Sequence, residues 1–168
     1  MRRTFFAPGR VNLIGEYTDL VGGPVLPIAI ERGITLRCEP AARIELDSAD
    51  AVPGWERYVE AVERELGDLG RPARGVRGRL TSTLPVGMGL SSSAALEVVV
   101  GLALCASAGF ELPPLELAQA ARRAEQRATG VPCGIMDQAA SLLGRVGHAL
   151  LLDTGALAFE QVPLRFLS

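Results

Sequence analysis

The chain has 168 residues, enough for one domain with a substantial core. Its 48% hydrophobic and 21% charged residues exclude a largely disordered chain. The net charge is −2 and arginine supplies all 17 basic residues, so bulk charge draws the chain to neither nucleic acid nor an anionic membrane.

The segment Met1 to Gly9 carries two arginines but no apolar run long enough for a signal peptide. Phe5-Phe6 and Val11 to Ile14 read as short strands around an Ala7-Pro8-Gly9 turn. Val25 to Ile30 and Gly33 to Cys38 read as a second strand pair, and Ala42 to Leu46 as another short strand. Trp55, Tyr58, Val59, Val62, Leu66 and Leu69 repeat at the spacing of one amphipathic helix face. Gly75 to Leu84 reads as a strand running into a loop at Pro85, and Ser91 to Ala108 as a mostly buried helix.

The most apolar stretch, Ala94 to Phe110, is interrupted by Glu97, and the run of about 13 apolar or small residues after it is short of the roughly 20 a membrane helix needs. A cytoplasmic protein is the expectation. Pro113 and Pro114 start a helix that runs to about Thr129 and stops at Gly130. Gly134 precedes a short helix from about Ile135 to Leu143. Ala149 to Leu152 and Ala158 to Val162 read as strands around an Asp153-Thr154-Gly155 turn. Strands, then helices, then strands predict an α+β sandwich with helices packed on one face of a mixed sheet. Ser168 follows Val162 with no clear terminal element, which suggests a part of something longer.

Cys38, Cys105 and Cys133 are too few and too scattered for a disulfide framework or a zinc site. His148 is the only histidine, so a metal site must use oxygen ligands. The richest local signal is Pro85 to Ala94, where Gly87 and Gly89 alternate with Met88 and Leu90 ahead of Ser91, Ser92 and Ser93. Glycines let backbone N–H groups approach an anion closely, and a helix start offers unpaired N–H groups and a positive dipole end. Serine hydroxyls add donors, and one can ligate magnesium. A glycine turn with a serine cap needs only one serine, so the excess favours a phosphate cradle. The loop lacks the lysine of a Walker A sequence.

This loop resembles the second motif of the GHMP kinases. Two further segments narrow the resemblance to the galactokinase branch: Gly9-Arg10-Val11-Asn12-Leu13-Ile14-Gly15-Glu16-Tyr17-Thr18-Asp19 and Val131-Pro132-Cys133-Gly134-Ile135-Met136-Asp137-Gln138. The resemblance implies an N-terminal GHMP domain over residues 1–168, with the ribosomal protein S5 domain 2-like fold, and ATP-dependent phosphorylation of galactose at its C1 hydroxyl. It implies Asp137 as the base and Arg10 as its partner stabilising charge at the reacting centre. Glu16, Tyr17, Thr18, Asp19 and Gly134 would line the sugar pocket with Asp137. Gly87, Met88, Gly89, Leu90, Ser91, Ser92 and Ser93 would wrap the phosphates, and Ser93 with Glu125 would hold Mg2+.

The residues alone leave alternatives. Asp137 also suits a helix-start carboxylate, and Arg10 a surface arginine. Glu16 and Asp19 suit a solvated turn or a cap as well as sugar hydroxyls. Glu125 could pair with Arg122 three residues before it. Tyr17 and Leu20 stand where the family usually has histidine and tyrosine, which raises another GHMP sugar 1-kinase. The third GHMP motif, a glycine-rich loop of the C-terminal domain, is not found in these residues. A sugar- or nucleotide-sensing module without catalysis, and self-association through an uncovered apolar face, are the remaining readings.

Overall fold

A computed structural model describes residues 1–50, 52–85 and 87–164. Val86 of the expected loop and the chain end at Ser168 lie outside the described residues. In chain order the elements are β1 (Arg3–Asn12), a 3-10 turn (Thr18–Leu20), β2 (Pro24–Val25), β3 (Pro27–Ala41), β4 (Glu45–Ser48), α1 (Glu56–Asp68), β5 (Gly75–Ser82), α2 (Ser92–Ala108), α3 (Pro114–Thr129), α4 (Met136–Leu143), β6 (His148–Asp153) and β7 (Ala158–Pro163).

The α+β class stands, with one difference in layout: the strands form two sheets. One is four-stranded and mixed, in the order β1-β3-β5-β4, with β4 parallel to β5 and the other pairs antiparallel. The other is antiparallel, in the order β2-β6-β7.

The expected turn at Ala7-Pro8-Gly9 is instead part of the continuous strand β1, and the bulge there belongs to its partner β3. The register jumps there from Pro8↔Gly33 to Arg10↔Ala29. Ile30, Glu31 and Arg32 stand against the single Gly9, and a ladder opened in this way tolerates Pro8 and adds local twist just before Arg10. Gly9 is required by close approach, since a Cβ would come within 2.7 Å of the Leu90 carbonyl oxygen. β3 is likewise one strand and not the expected pair: Glu31 and Arg32 are absorbed in its bulge and carry no turn chemistry. Leu69, expected on the buried face of α1, follows the helix and is exposed.

Helix α2 lies between the four-stranded sheet and the helices α1, α3 and α4. Val98, Val99 and Val100 are consecutive and all fully buried, so the helix is covered all round. Each such side chain contributes about 1.5–3 kcal/mol by leaving water. The polar start of α2 is therefore held on a rigid rod. A second cluster, Val25, Ile135, Met136, Ala139, Leu150 and Leu152, fixes α4 against the small sheet. Among the described residues no helix is long and apolar enough to cross a membrane.

Candidate active site

Strand β1, continuing past the bulge of β3, carries Arg10 to the start of α4. Arg10 Nε donates to Asp137 Oδ1 at 2.7 Å and Nη2 donates to Oδ2 at 3.0 Å, a two-point pair across 127 residues of sequence. Its remaining nitrogen, Nη1, donates to the carbonyl of Gly89 at 2.9 Å. One arginine thus ties the carboxylate to the glycine loop.

The loop itself alternates in hand. Gly87 (φ 75°), Gly89 (φ 66°) and Ser91 (φ 56°) are left-handed. Such alternation turns successive N–H groups inward and forms an anion-binding concavity. Ser91 is in a conformation a residue with a side chain rarely adopts. Its hydroxyl does not cap α2 and donates instead to Asp137 Oδ2. The first intrahelical bond runs from the Ala95 N–H to the Ser91 carbonyl at 3.1 Å, which leaves the opening N–H groups of α2 for a ligand. The serine-cap alternative is thereby set aside.

Ser93 Oγ donates to Glu125 Oε1 at 2.7 Å, bringing two hard oxygen atoms together at the loop end. Glu125 shows no ion pair with Arg122, the alternative raised by their spacing. Its other oxygen accepts from Gln138 Nε2 at 2.5 Å.

On the other side of Asp137 lies a depression of about 250 Å³. Arg10, Glu16, Tyr17, Asp19, Gly134 and Asp137 all line it, with Glu125 at its edge and Leu20, Pro132, Cys133 and Met136 completing the wall. Thr18 does not line it. Its hydroxyl is spent on the carbonyls of Gly15 and Pro24, at 3.0 and 2.7 Å, and so closes the loop that presents Glu16 and Tyr17. Asp19 Oδ2 accepts the Met136 N–H at 3.3 Å, capping α4 from 117 residues away. Gly134 is needed for this, because a Cβ would sit 1.8 Å from that oxygen. Asn12 Nδ2 holds Glu16 Oε1 at 2.9 Å. Tyr17 stands exposed at the rim, with φ 62°. Burial, with Glu125 and Glu97 adding to it, pushes the Cys133 thiol up to about 12, so it is no nucleophile at neutral pH.

Two features were missed in the sequence. A pocket of about 300 Å³ opens beside Ser92 and Ser93, walled by Trp55, Tyr58, Leu80, Leu84 and Leu96. Trp55 and Tyr58 were read as core because pocket walls and cores share the same helical spacing. The second is Glu97 with Gln138, both fully buried behind the loop. A glutamate inside the most apolar run of the chain was the available signal.

Comparison with known proteins gives consistent findings. Residues 55–145 match the GHMP kinases N terminal domain, and residues 2–40 match the galactokinase galactose-binding signature. A galactokinase of Thermotoga neapolitana is 41% identical, aligned over 95% of this chain and 49% of its own length. One of Thermococcus kodakarensis is 40% identical over 94% of this chain and 49% of its own. The chain spans about half the length of the curated relatives it matches. Lactococcus lactis galactokinase, solved in complex with galactose, superposes with a TM-score of 0.89 at 34% identity, covering 96% of this chain and 47% of that one. Methanococcus jannaschii mevalonate kinase, at 19% identity and a TM-score of 0.76 over 96% of this chain and 56% of that one, shares the fold.

Proposed function

This chain belongs to the GHMP kinase family, and we propose that it is the N-terminal sugar- and ATP-binding part of a galactokinase, transferring the γ-phosphoryl group of ATP to the C1 hydroxyl of galactose in the cytoplasm. The observation that carries the reading is the position of Asp137. It is paired with Arg10, touched by Ser91, and faces a depression on one side and the anion loop on the other.

In this reading the sugar occupies the depression and presents its C1 hydroxyl to Asp137, with Glu16, Tyr17 and Asp19 beside it. The hydroxyl oxygen bonds to the γ-phosphorus, the bond from that phosphorus to the β,γ-bridging oxygen breaks, ADP leaves, and the proton passes to Asp137. Arg10 orients the carboxylate and supports charge at the transferring group. Gly87 through Ser93 wrap the phosphates, and the pocket of Trp55, Tyr58 and Leu96 takes the base. Ser93 Oγ and Glu125 Oε1 fit a magnesium ion, which needs only one or two protein oxygens beside its waters and phosphate oxygens. When bound there, the ion would neutralise charge on the phosphates.

A C-terminal GHMP domain lies outside these residues and supplies the other wall of the cleft. Exposed Leu13, Ile14, Leu20 and Val21 are the apolar surface offered to such a partner, or to a second copy in its absence. Coupled ADP release tests the reading. The chain alone turns over far below 1 s⁻¹, and the chain continued through its C-terminal half reaches about 1–100 s⁻¹ with galactose. No galactose-dependent release from the longer chain would overturn it. Tyr17 at the rim favours a second reading, another sugar 1-kinase, which a panel of free sugars in a thermal-shift assay separates.

A further inference from the structure

Glu97 lies on α2 one turn after Ser93, with none of its surface exposed. Gln138, next to Asp137 on α4, is equally buried. Gln138 Nε2 donates to Glu97 Oε2 at 3.1 Å and to Glu125 Oε2 at 2.5 Å. Only the amide nitrogen suits a place between two carboxyl oxygens, so the amide has one permitted orientation. That orientation leaves Gln138 Oε1 buried without a partner, and Glu97 Oε1 is also buried without one. Both orphans are acceptors, and they belong to two groups already joined by one hydrogen bond. A single proton on Glu97 turns one orphan into a donor for the other.

We infer that Glu97 is a positioning residue: as a neutral acid it forms a reciprocal pair with the Gln138 amide, and this pair holds Glu125 against Ser93. In the pair, Gln138 Nε2 donates to Glu97 Oε2 while the protonated Glu97 Oε1 donates to Gln138 Oε1. The second proton of the amide is then committed to Glu125, whose remaining oxygen accepts from Ser93. Burial and the facing Glu125 and Asp137 favour the un-ionised acid, pushing Glu97 up to about 9 even though the Gln138 hydrogen bond pulls it down. The pairing stands on the buried atoms alone. The value of holding Glu125 rests on the kinase reading above.

Glu97→Gln is the matched replacement, since a neutral amide accepts from Gln138 Nε2 and donates to Gln138 Oε1. Glu97→Leu keeps the volume and strands the Gln138 amide. Infrared difference spectra of the chain at pH 7 show an un-ionised acid carbonyl that Glu97→Gln removes. At or below about pH 4.5, where the unfolded chain also keeps the proton, Glu97→Gln melts within about 1 °C of wild type and Glu97→Leu at least about 4 °C lower. In the longer chain Glu97→Leu lowers kcat with the sugar KM within about twofold, and Glu97→Gln restores kcat. Absence of the acid carbonyl, or Glu97→Leu as stable as wild type, overturns the pair. A Glu97→Leu enzyme with wild-type kcat overturns the positioning role. If the wild-type longer chain shows no turnover, the kinase reading has failed while the spectra and melting series still judge the pair.

Discussion

Two arginine–carboxylate clusters in this molecule resemble one another in distance and differ in which partner is sheltered. Between α1 and α3, Glu65 accepts from Arg123 Nε at 2.9 Å and from Arg127 Nη2 at 2.7 Å. There the carboxylate is 8% exposed and each guanidinium side chain 39%. In the cleft the order reverses: Arg10 is 17% exposed and Asp137 27%. The seam encloses its anion between two cations and leaves it no free face. The cleft shelters its cation somewhat more than its anion, and both line one depression. Ion pairs of equal length can thus serve opposite ends, one joining helices and one keeping a carboxylate available to a ligand.

The largest expected contrast comes from neutralising each carboxylate in turn. Asp137→Asn in the longer chain lowers turnover by about 10²–10⁴-fold, the range for losing a positioned base. Its melting temperature stays within about 2 °C, because the half-exposed Asp137 site readmits water. Glu65→Gln does the reverse, with full turnover and a loss of about 1–2 kcal/mol, or roughly 2–8 °C. This is below the usual cost of breaking a buried pair because Arg123 and Arg127 can rehydrate. Steady-state ADP release and thermal melts on the two variants read both axes. Loss of turnover without loss of stability in Glu65→Gln would erase the distinction between the clusters.

The seam was more legible in the sequence than the cleft. The helical spacing from Trp55 to Leu66 and the proline and glycine bounds of α3 place both helices of the seam, although the pairing of Glu65 with Arg123 and Arg127 emerges only in the fold. Nothing local joins Arg10 to Asp137. Their meeting depends on β1 running on through Pro8 and Gly9, where turn chemistry alone reads a turn between two strands. Only the resemblance of whole motifs supplied the pairing. The turn at Gly87 to Ser91 was legible because glycine and serine act through backbone geometry close in sequence. The separate small sheet was not, because nothing local shows that β6 pairs with the distant β2. Thr18 braces its own loop, a placement the sequence did not reveal, since a loop threonine can face a ligand or hold its own backbone and spacing does not distinguish them.

A smaller effect probes how the cleft holds its shape without a second cation. Asp19 caps α4 and packs on Gly134 in the same wall as Asp137. Gly134→Ala drives a methyl into the Asp19 carboxylate and displaces it from the Met136 N–H. The expected loss is about 0.5–2 kcal/mol, the worth of a helix cap, with a higher sugar KM and unchanged Asp137 chemistry. Because both act through one contact, Gly134→Ala combined with Asp19→Ala loses little more than Asp19→Ala alone. Additive losses would show that Gly134 serves something besides the cap.

The finest contrast is in pH dependence, where Glu65 and Glu97 bend stability in opposite directions. Burial pushes Glu65 up, but its bonds to Arg123 and Arg127 more than offset this and hold it below the ordinary carboxylate value. Its contribution is present above the unfolded pKa and fades as pH falls through the folded one. Glu97 has no cation beside it. Burial first, then Glu125, raise it to about 9 from an ordinary 4.5. Between those values the folded chain holds a proton that the unfolded chain has released. The contribution of Glu97 is therefore complete below about pH 4.5 and is lost as pH rises toward 9. Urea melts of wild type and Glu97→Gln from pH 5.5 to 8.5 should diverge steadily, with the variant gaining up to about 1.4 kcal/mol per pH unit. The raised cysteines bend both curves alike near the alkaline end and cancel in the difference between wild type and variant. Glu65→Gln should run parallel to wild type over the same range and diverge only in acid. Parallel curves for all three would mean that Glu97 is ionised in the fold, and the contrast between a carboxylate held by cations and one held by an amide would fall.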